Sequence, residues 1–221
     1  MLLVNKILTL TFSSGNMLYT FIKLIGNGTS TLDLPRPGGL RFIQVGRLLL
    51  GLALTGVASG QTMPVPLASG WQLQDAARVP ASGGVISSTN YQPANWFRAT
   101  VPGTVLTSLV NDGIYPEPLY GENNLHIPDN LCRASYWYRT TFTVPPAFHG
   151  QRVWLNFAGI NYEAEVWVNG HDVGSIKGAF ARGRFDVTAD VAVGGLAVVA
   201  VHVLPEPHPG LAHQKTLATG T

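Results

Sequence analysis

Two carboxylates, Glu163 and Glu165, come nearest in type and spacing to a catalytic pair. They alternate with apolar residues over 162–168, so the pattern predicts a strand on which both carboxylates share one face. Residues i and i+2 of a strand lie roughly 7 Å apart, within the range of the carboxylate pairs that hydrolyse glycosidic bonds. A solvated strand face gives the same pattern without any chemistry, and these residues alone leave both interpretations open.

A second group of residues has the composition of a saccharide-binding surface. It consists of Tyr120, Asn123, Asn124, Tyr136 and Trp137. Aromatic rings stack on the C–H faces of sugars and side-chain amides hydrogen-bond to hydroxyls, so the group offers both kinds of contact. The alternative is an Asn-rich turn beside core aromatics, which is the more frequent arrangement because most aromatic residues are core residues.

No residue pattern predicts a metal or a cofactor. His208 and His213 flank a Pro-Gly loop, but a metal site needs a third ligand and none is evident. The single cysteine, Cys132, excludes an intramolecular disulfide and lies in no catalytic signature. A formal net charge of +2 with only 12% charged residues excludes the basic footprint of a nucleic-acid-binding protein.

Residues 41–60 have the layout of a secretory signal peptide. Arg41 and Arg47 accompany an apolar run that ends at Ala58, where small residues offer a cleavage site. The run is too short for a spanning helix, which needs about 20 apolar residues, so we expect no stable membrane span and a bacterial periplasmic or secreted location. Residues 1–40 are interpreted as upstream leader sequence, translated from a start codon chosen too early. The alternative is a membrane hairpin of short helices.

From residue 61 onwards the composition is that of an all-β domain. A Pro-containing linker over 61–70 leads into sequence dense in strand signals. The alternation typical of half-buried strands covers residues 136–144, 153–159 and 162–168. Asn169-Gly170 then predicts a hairpin, because both residues tolerate positive φ.

Three further segments complete the predicted fold. Residues 184–187 form a short strand, and residues 196–204 are apolar on both faces apart from His202, which predicts a central strand under cover on both sides. One short helix is predicted over residues 105–112, opened by Thr104. Short strands separated by Gly/Pro turns favour a jelly-roll β-sandwich.

Three stretches, in fixed order and spacing, are more specific than any single motif. They are VPGTVL (101–106) with GIYPEP (113–118) and YGENN (120–124); YWYRTTF (136–142); and LNFAGINY (155–162) with VWVNG (166–170), GAF (178–180) and FDVT (185–188). Together they resemble the N-terminal sugar-binding domain of glycoside hydrolase family 2, especially its β-mannosidase and exo-β-glucosaminidase branch. The resemblance covers most of residues 71–210.

This resemblance implies a galactose-binding-like sandwich over residues 71–210, followed in a parent enzyme by immunoglobulin-like domains and a (β/α)₈ barrel. The barrel of that family carries the two glutamates of retaining hydrolysis, about 5–5.5 Å apart, and neither is assigned here. The resemblance therefore favours a solvated face for Glu163 and Glu165. We expect the non-catalytic N-terminal domain of an exported β-glycosidase that acts on a β-linked saccharide; the alternative is a free-standing carbohydrate-binding module.

The Trp-Arg-Asp segment that closes the domain in this family is not found, and residues 211–221 are interpreted as the start of an incomplete downstream segment. In the family, the strand after that segment completes the sandwich. We therefore expect an unpaired strand edge. Residues 196–204 are the segment expected to pair with such an edge of another chain. Residues 61–221 alone should then be oligomeric or loosely folded.

Overall fold

The computed structural model describes the backbone of residues 3–4 and 9–13, and residues 64–207 in full. The predicted signal peptide over 41–60 and the segment 211–221 lie outside the described residues. The chain divides into two compact units, Met1–Gly15 with Thr62–Thr221, and Asn16–Gln61. All of the second unit lies outside the described residues. In the part of the chain that is described, no helix is long and apolar enough to cross a membrane.

The described residues form an all-β domain, as predicted. The strands are β1 (Leu3–Val4), β2 (Thr9–Ser13), β3 (Val65–Pro66), β4 (Gln72–Asp75), β5 (Phe97–Arg98), β6 (Gly103–Thr104), β7 (Tyr136–Thr143), β8 (Arg152–Asn161), β9 (Glu163–Val168), β10 (His171–Lys177), β11 (Ala181–Asp186) and β12 (Leu196–Leu204). The helices are α1 (Gly83–Ile86) and α2 (Val105–Asn111), with 3₁₀ turns at Ala76–Arg78, Asn123–His126, Asp129–Cys132 and Pro146–Phe148.

The strands form two antiparallel sheets. Sheet I has the order β3-β2-β8-β1-β6, and β11 pairs with the other edge of β8. Sheet II has the order β10-β9-β12-β7-β4-β5. The predicted central strand is confirmed, because β12 lies between β7 and β9.

The main core lies between the two sheets. Sheet I contributes Val153, Leu155, Phe157 and Ile160 of β8, and sheet II contributes alternate residues of β7, β9 and β12. Every second residue of β8 from Val153 to Phe157 is buried, which is the period-two pattern of a strand with one face on the core.

Two local predictions rest on turn and cap chemistry, and both are confirmed. Thr104 begins α2, and its side-chain oxygen accepts a hydrogen bond from the Thr107 amide at 2.9 Å, which satisfies a free N–H of the first turn. Asn169 and Gly170 connect β9 to β10 with φ of 47° and 95°. Positive φ at both positions belongs to the tight hairpin turn whose twist matches the strands.

The strand β7 differs from the half-buried strand that was predicted. Its first five residues are all buried, because residues 76–96, which we name the cover segment, pack on the outer face of sheet II. Val79 and Ile86 of this segment form a second apolar cluster with Trp137 and Ala200. Sheet II is therefore covered on both faces over this region.

Three described strands fall within the stretches predicted as leader and linker. Val65–Pro66 falls within the predicted linker but forms β3, which pairs with β2. The strands β1 and β2 fall within residues 1–40, predicted as leader sequence, and both pair with β8. Most of residues 1–40 lie outside the described residues, so the interpretation of that stretch as leader stays a prediction.

Candidate functional site

A cavity of about 320 Å³ opens at one end of the sandwich. It lies where β4 ends at Asp75 and β7 begins at Tyr136, and the strand register places these two residues opposite each other. Its polar lining residues are Gln74, Asp75, Arg78, Tyr115, Asn130 and Tyr136, and its apolar walls include Leu73, Phe97, Leu109, Ile114 and Leu131. The volume is near the lower end of the roughly 300–1,000 Å³ typical of small-molecule sites.

The helix α2 and the chain that follows it form one wall of the cavity. The backbone amides of Ile114 and Tyr115 both donate to the Leu109 carbonyl, at 2.8 and 3.4 Å. The Arg98 guanidinium donates to the Asp112 carboxylate at 2.8 Å, and this hydrogen bond lowers the pKa of Asp112. The end of α2 is thereby tied to β5, which fixes the wall relative to the sheet.

Tyr136 contributes a buried phenol to the cavity lining. Its side chain is 4% exposed, and burial, followed by the nearby Asp75 carboxylate and Tyr115, raises its pKa to about 12. A buried neutral phenol is a hydrogen-bond donor and acceptor that stays protonated at physiological pH. It can therefore bind a neutral polyhydroxylated ligand without a change in charge.

This raised pKa predicts a loss of stability at alkaline pH. The folded-state value lies above the unfolded value of 10, so the contribution of Tyr136 is fully present below pH 10 and is lost as the pH rises towards 12. We expect the loss to be about 1–2 kcal/mol, allowing for the solvent that reaches an open cavity. Urea unfolding at pH 8 and pH 11 should show a smaller drop for Tyr136→Phe than for the unsubstituted chain. An equal drop in both proteins would contradict the assignment.

Among the five residues predicted to bind a saccharide, the cavity lining includes Tyr136 alone. Tyr120 is 77% exposed and lies on the loop between α2 and β7. The Asn123 amide donates to the Glu117 carbonyl at 2.9 Å and so stabilises a turn of that loop. Asn124 follows in the 3₁₀ turn Asn123–His126. The structure thus places the two asparagines in a turn of this loop and not on the cavity lining.

Trp137 lies on the opposite face of β7 from Tyr136. It is 6% exposed and belongs to the cluster under the cover segment. The His202 imidazole stacks on its ring with a centroid distance of 4.5 Å and an interplanar angle of 13°. Its ring face is therefore used for packing and does not adjoin the cavity.

Glu163 and Glu165 share one face of β9, as the alternation predicts. Glu163 accepts from Lys177 at 3.2 Å, and Glu165 lies 3.2 Å from the His202 Nδ1. Both belong to the outer face of sheet II, because the residues between and after them, Ala164 and Val166, are buried in the main core. Neither glutamate belongs to the lining of the Asp75–Tyr136 cavity, and each has a polar partner on the outer face of sheet II.

Most of the polar residues that line the cavity show no functional pattern in the sequence. Asp75 ends β4 and is separated from Arg78 by two alanines, and Asn130 lies in an irregular loop. Neither stretch has a periodic pattern. The one signal that could have found Asp75 is the pairing of β4 with β7, which places it across from Tyr136. The described residues include no group of three or more His, Cys, Asp or Glu that could hold a metal ion.

Comparison with known proteins shows what the domain is similar to. Residues 71–219 match the glycosyl hydrolase 2 galactose-binding domain-like family. The chain is 36% identical over 151 residues to mannosylglycoprotein endo-β-mannosidase of Lilium longiflorum, covering 65% of this chain and 16% of that protein. It is 31% identical over 153 residues to exo-β-D-glucosaminidase of Amycolatopsis orientalis, covering 68% of this chain and 14% of that protein.

A solved structure gives the same relationship. The exo-chitosanase of Amycolatopsis orientalis superposes with a TM-score of 0.56 and 30% identity, covering 63% of this chain and 16% of that chain. This chain therefore spans only a small part of the relatives that it matches. The chain belongs to the galactose-binding-like domain family of glycosyl hydrolase family 2.

Proposed function

We propose that this chain is the non-catalytic N-terminal domain of an exported β-glycosidase. One observation carries the proposal: the lining of the described cavity includes a single carboxylate, Asp75. Retaining hydrolysis needs two carboxyl groups facing each other across the scissile bond. The other candidate carboxylates, Glu163 and Glu165, are partnered on the outer face of sheet II.

The proposed role is to form one wall of a site for a β-linked saccharide. The relatives are named for action on β-mannosides and β-D-glucosaminides, and the cavity offers groups that suit sugar hydroxyls. Asp75 accepts hydrogen bonds, Arg78 donates them, and Asn130 and Tyr136 can do both. The catalytic glutamates would come from a (β/α)₈ barrel of the same parent chain, with immunoglobulin-like domains between. The leader predicted over residues 41–60 supports export, which intact-mass measurement of a periplasmic fraction would check.

The 221-residue chain should not hydrolyse 4-nitrophenyl β-D-glucosaminide or 4-nitrophenyl β-D-mannoside. Without a positioned acid and nucleophile, nothing stabilises an oxocarbenium-like transition state. Release of nitrophenol should equal that in buffer. Turnover above buffer that disappears in a Glu163→Gln, Glu165→Gln variant would contradict the proposal and assign the chemistry to β9.

A free-standing carbohydrate-binding module is the second candidate. The cavity favours this function, because all of the residues that line the cavity belong to this chain. The two functions differ in affinity. An accessory wall should bind glucosamine or mannose with a Kd above about 1 mM, since it supplies only part of the contacts. A module should bind a β-linked disaccharide more tightly and lose about tenfold in affinity on Asn130→Ala. Calorimetric titration decides between them, with Glu163→Ala as the matched surface control.

A further inference from the structure

The strand β8 has two edges, and they are paired in different ways. One edge pairs with β11, which follows closely in the chain and belongs to the matched domain. The other edge pairs with β1 and β2, which precede that domain by more than fifty residues. The structure thus completes sheet I with a segment that the family resemblance does not include.

The register places β1 and β2 at the two ends of β8. Leu3 is paired with Asn161 and Val4 with Ile160, while Thr9 is paired with Asn156 and Ser13 with Arg152. The sum of paired residue numbers changes only from 164 to 165 between the two strands, which follows from these pairs. Both described strands therefore pair with β8 in the same antiparallel direction and in nearly the same register.

This edge is one that cannot be left open at low cost. Val153, Leu155, Phe157 and Ile160 of β8 are at most 4% exposed, so β8 is a core strand. An unpaired, flat and hydrophobic edge exposes a row of N–H and C=O groups that template pairing with another chain. A strand that occupies this edge therefore protects a monomer from such pairing.

We propose that the β8 edge is a strand-acceptor site, and that β1 and β2 of the same chain are its occupants. Leu196–Leu204 offers no open edge, because β12 is paired on both sides. Cleavage of the predicted leader near Ser59 or Gly60 would remove both strands and vacate the site.

A register-specific disulfide in the full 221-residue chain tests the proposal. In a Cys132→Ser background, Thr9→Cys with Asn156→Cys places two thiols on directly paired residues, within the Cα separation of about 4.4–6.8 Å that a disulfide needs. Thr9→Cys with Arg152→Cys is the matched control, since four residues along a strand add about 13 Å. We expect an intramolecular disulfide in the first variant and free thiols in the second.

The other outcomes overturn the proposal. A disulfide-linked dimer would assign the edge to a second copy, and equal oxidation of both variants would mean that no fixed register exists. Free thiols in both would mean that β1 and β2 do not occupy the edge.

Hydrogen exchange provides a readout that needs no cysteine. Adjacent N–H groups of a strand point to opposite sides, so one of Leu10→Pro and Thr11→Pro must remove a donor to β8. That variant should exchange amides of residues 152–156 at least tenfold faster, whereas Leu10→Ala and Thr11→Ala should keep much of the protection. Unchanged exchange over 152–156 in both proline variants would overturn the proposal independently.

Discussion

Replacement of Arg139 by alanine is expected to lower the free energy of unfolding by about 3–4 kcal/mol. Arg139 is 6% exposed. Its Nε donates to the Ile86 carbonyl at 2.9 Å, and its Nη2 donates to the carbonyls of Ser88 and Tyr91 at 3.2 and 3.4 Å. These three acceptors lie in the cover segment, so one guanidinium fastens that segment to β7. Chemical unfolding monitored by tryptophan fluorescence would measure the loss.

Two variants separate the effect of these hydrogen bonds from general damage to β7. Arg139→Lys keeps a positive charge but not the planar fork that reaches several carbonyls, so we expect it to recover less than half of the loss. Thr141→Ala changes an exposed residue on the same face of the same strand and should stay within about 0.5 kcal/mol of the unsubstituted protein. A loss of that small size in Arg139→Ala would mean that the cover segment is held by its apolar contacts alone.

The cover segment is also the part of the fold that sequence analysis could not predict. The strands β8, β9 and β12 show their burial in the spacing of apolar residues, because one face or both faces pack on the core. The helix α1 has four residues, two of them glycine, which is too short for any helical period to show. Arg139 likewise predicts a solvent-exposed face of β7 from its residue type. In the structure the cover segment buries it, and three carbonyls of that segment accept its hydrogen bonds. Long-range contacts of this kind leave no local signal.

The cavity lining includes only one of the residues predicted to bind a saccharide, Tyr136. Tyr136 and Trp137 are neighbours in sequence, and alternation along β7 sends their side chains to opposite faces. The cavity contains the first, and the second apolar cluster contains the other. Asp75 joins Tyr136 only through the register of β4 and β7. Residue type indicated a sugar-binding composition, whereas the pairing of strands decided which residues meet.

Replacement of Gly83 by alanine is expected to destabilise the domain by about 3 kcal/mol, near the upper end of the usual cost of overpacking. An alanine Cβ at this position would lie 2.4 Å from Cε2 and 2.5 Å from Nε1 of Trp167, well inside van der Waals contact. In an open helix the same change would stabilise by about 0.5–1 kcal/mol, because glycine loses more backbone entropy on folding. The contact between α1 and the face of β9 therefore decides the sign. Thermal and urea unfolding of the full chain would measure it.

A second background identifies the indole as the cause. Trp167→Leu removes the ring that the new methyl group would meet, so Gly83→Ala should cost less than about 1 kcal/mol when it is introduced into that variant. The comparison uses the difference between the single and double variants, because the loss of the tryptophan has its own cost in packing. An equal cost of Gly83→Ala in both backgrounds would show that α1 is strained by something other than Trp167. A reduced cost would show that the glycine is required by the close approach of α1 to sheet II.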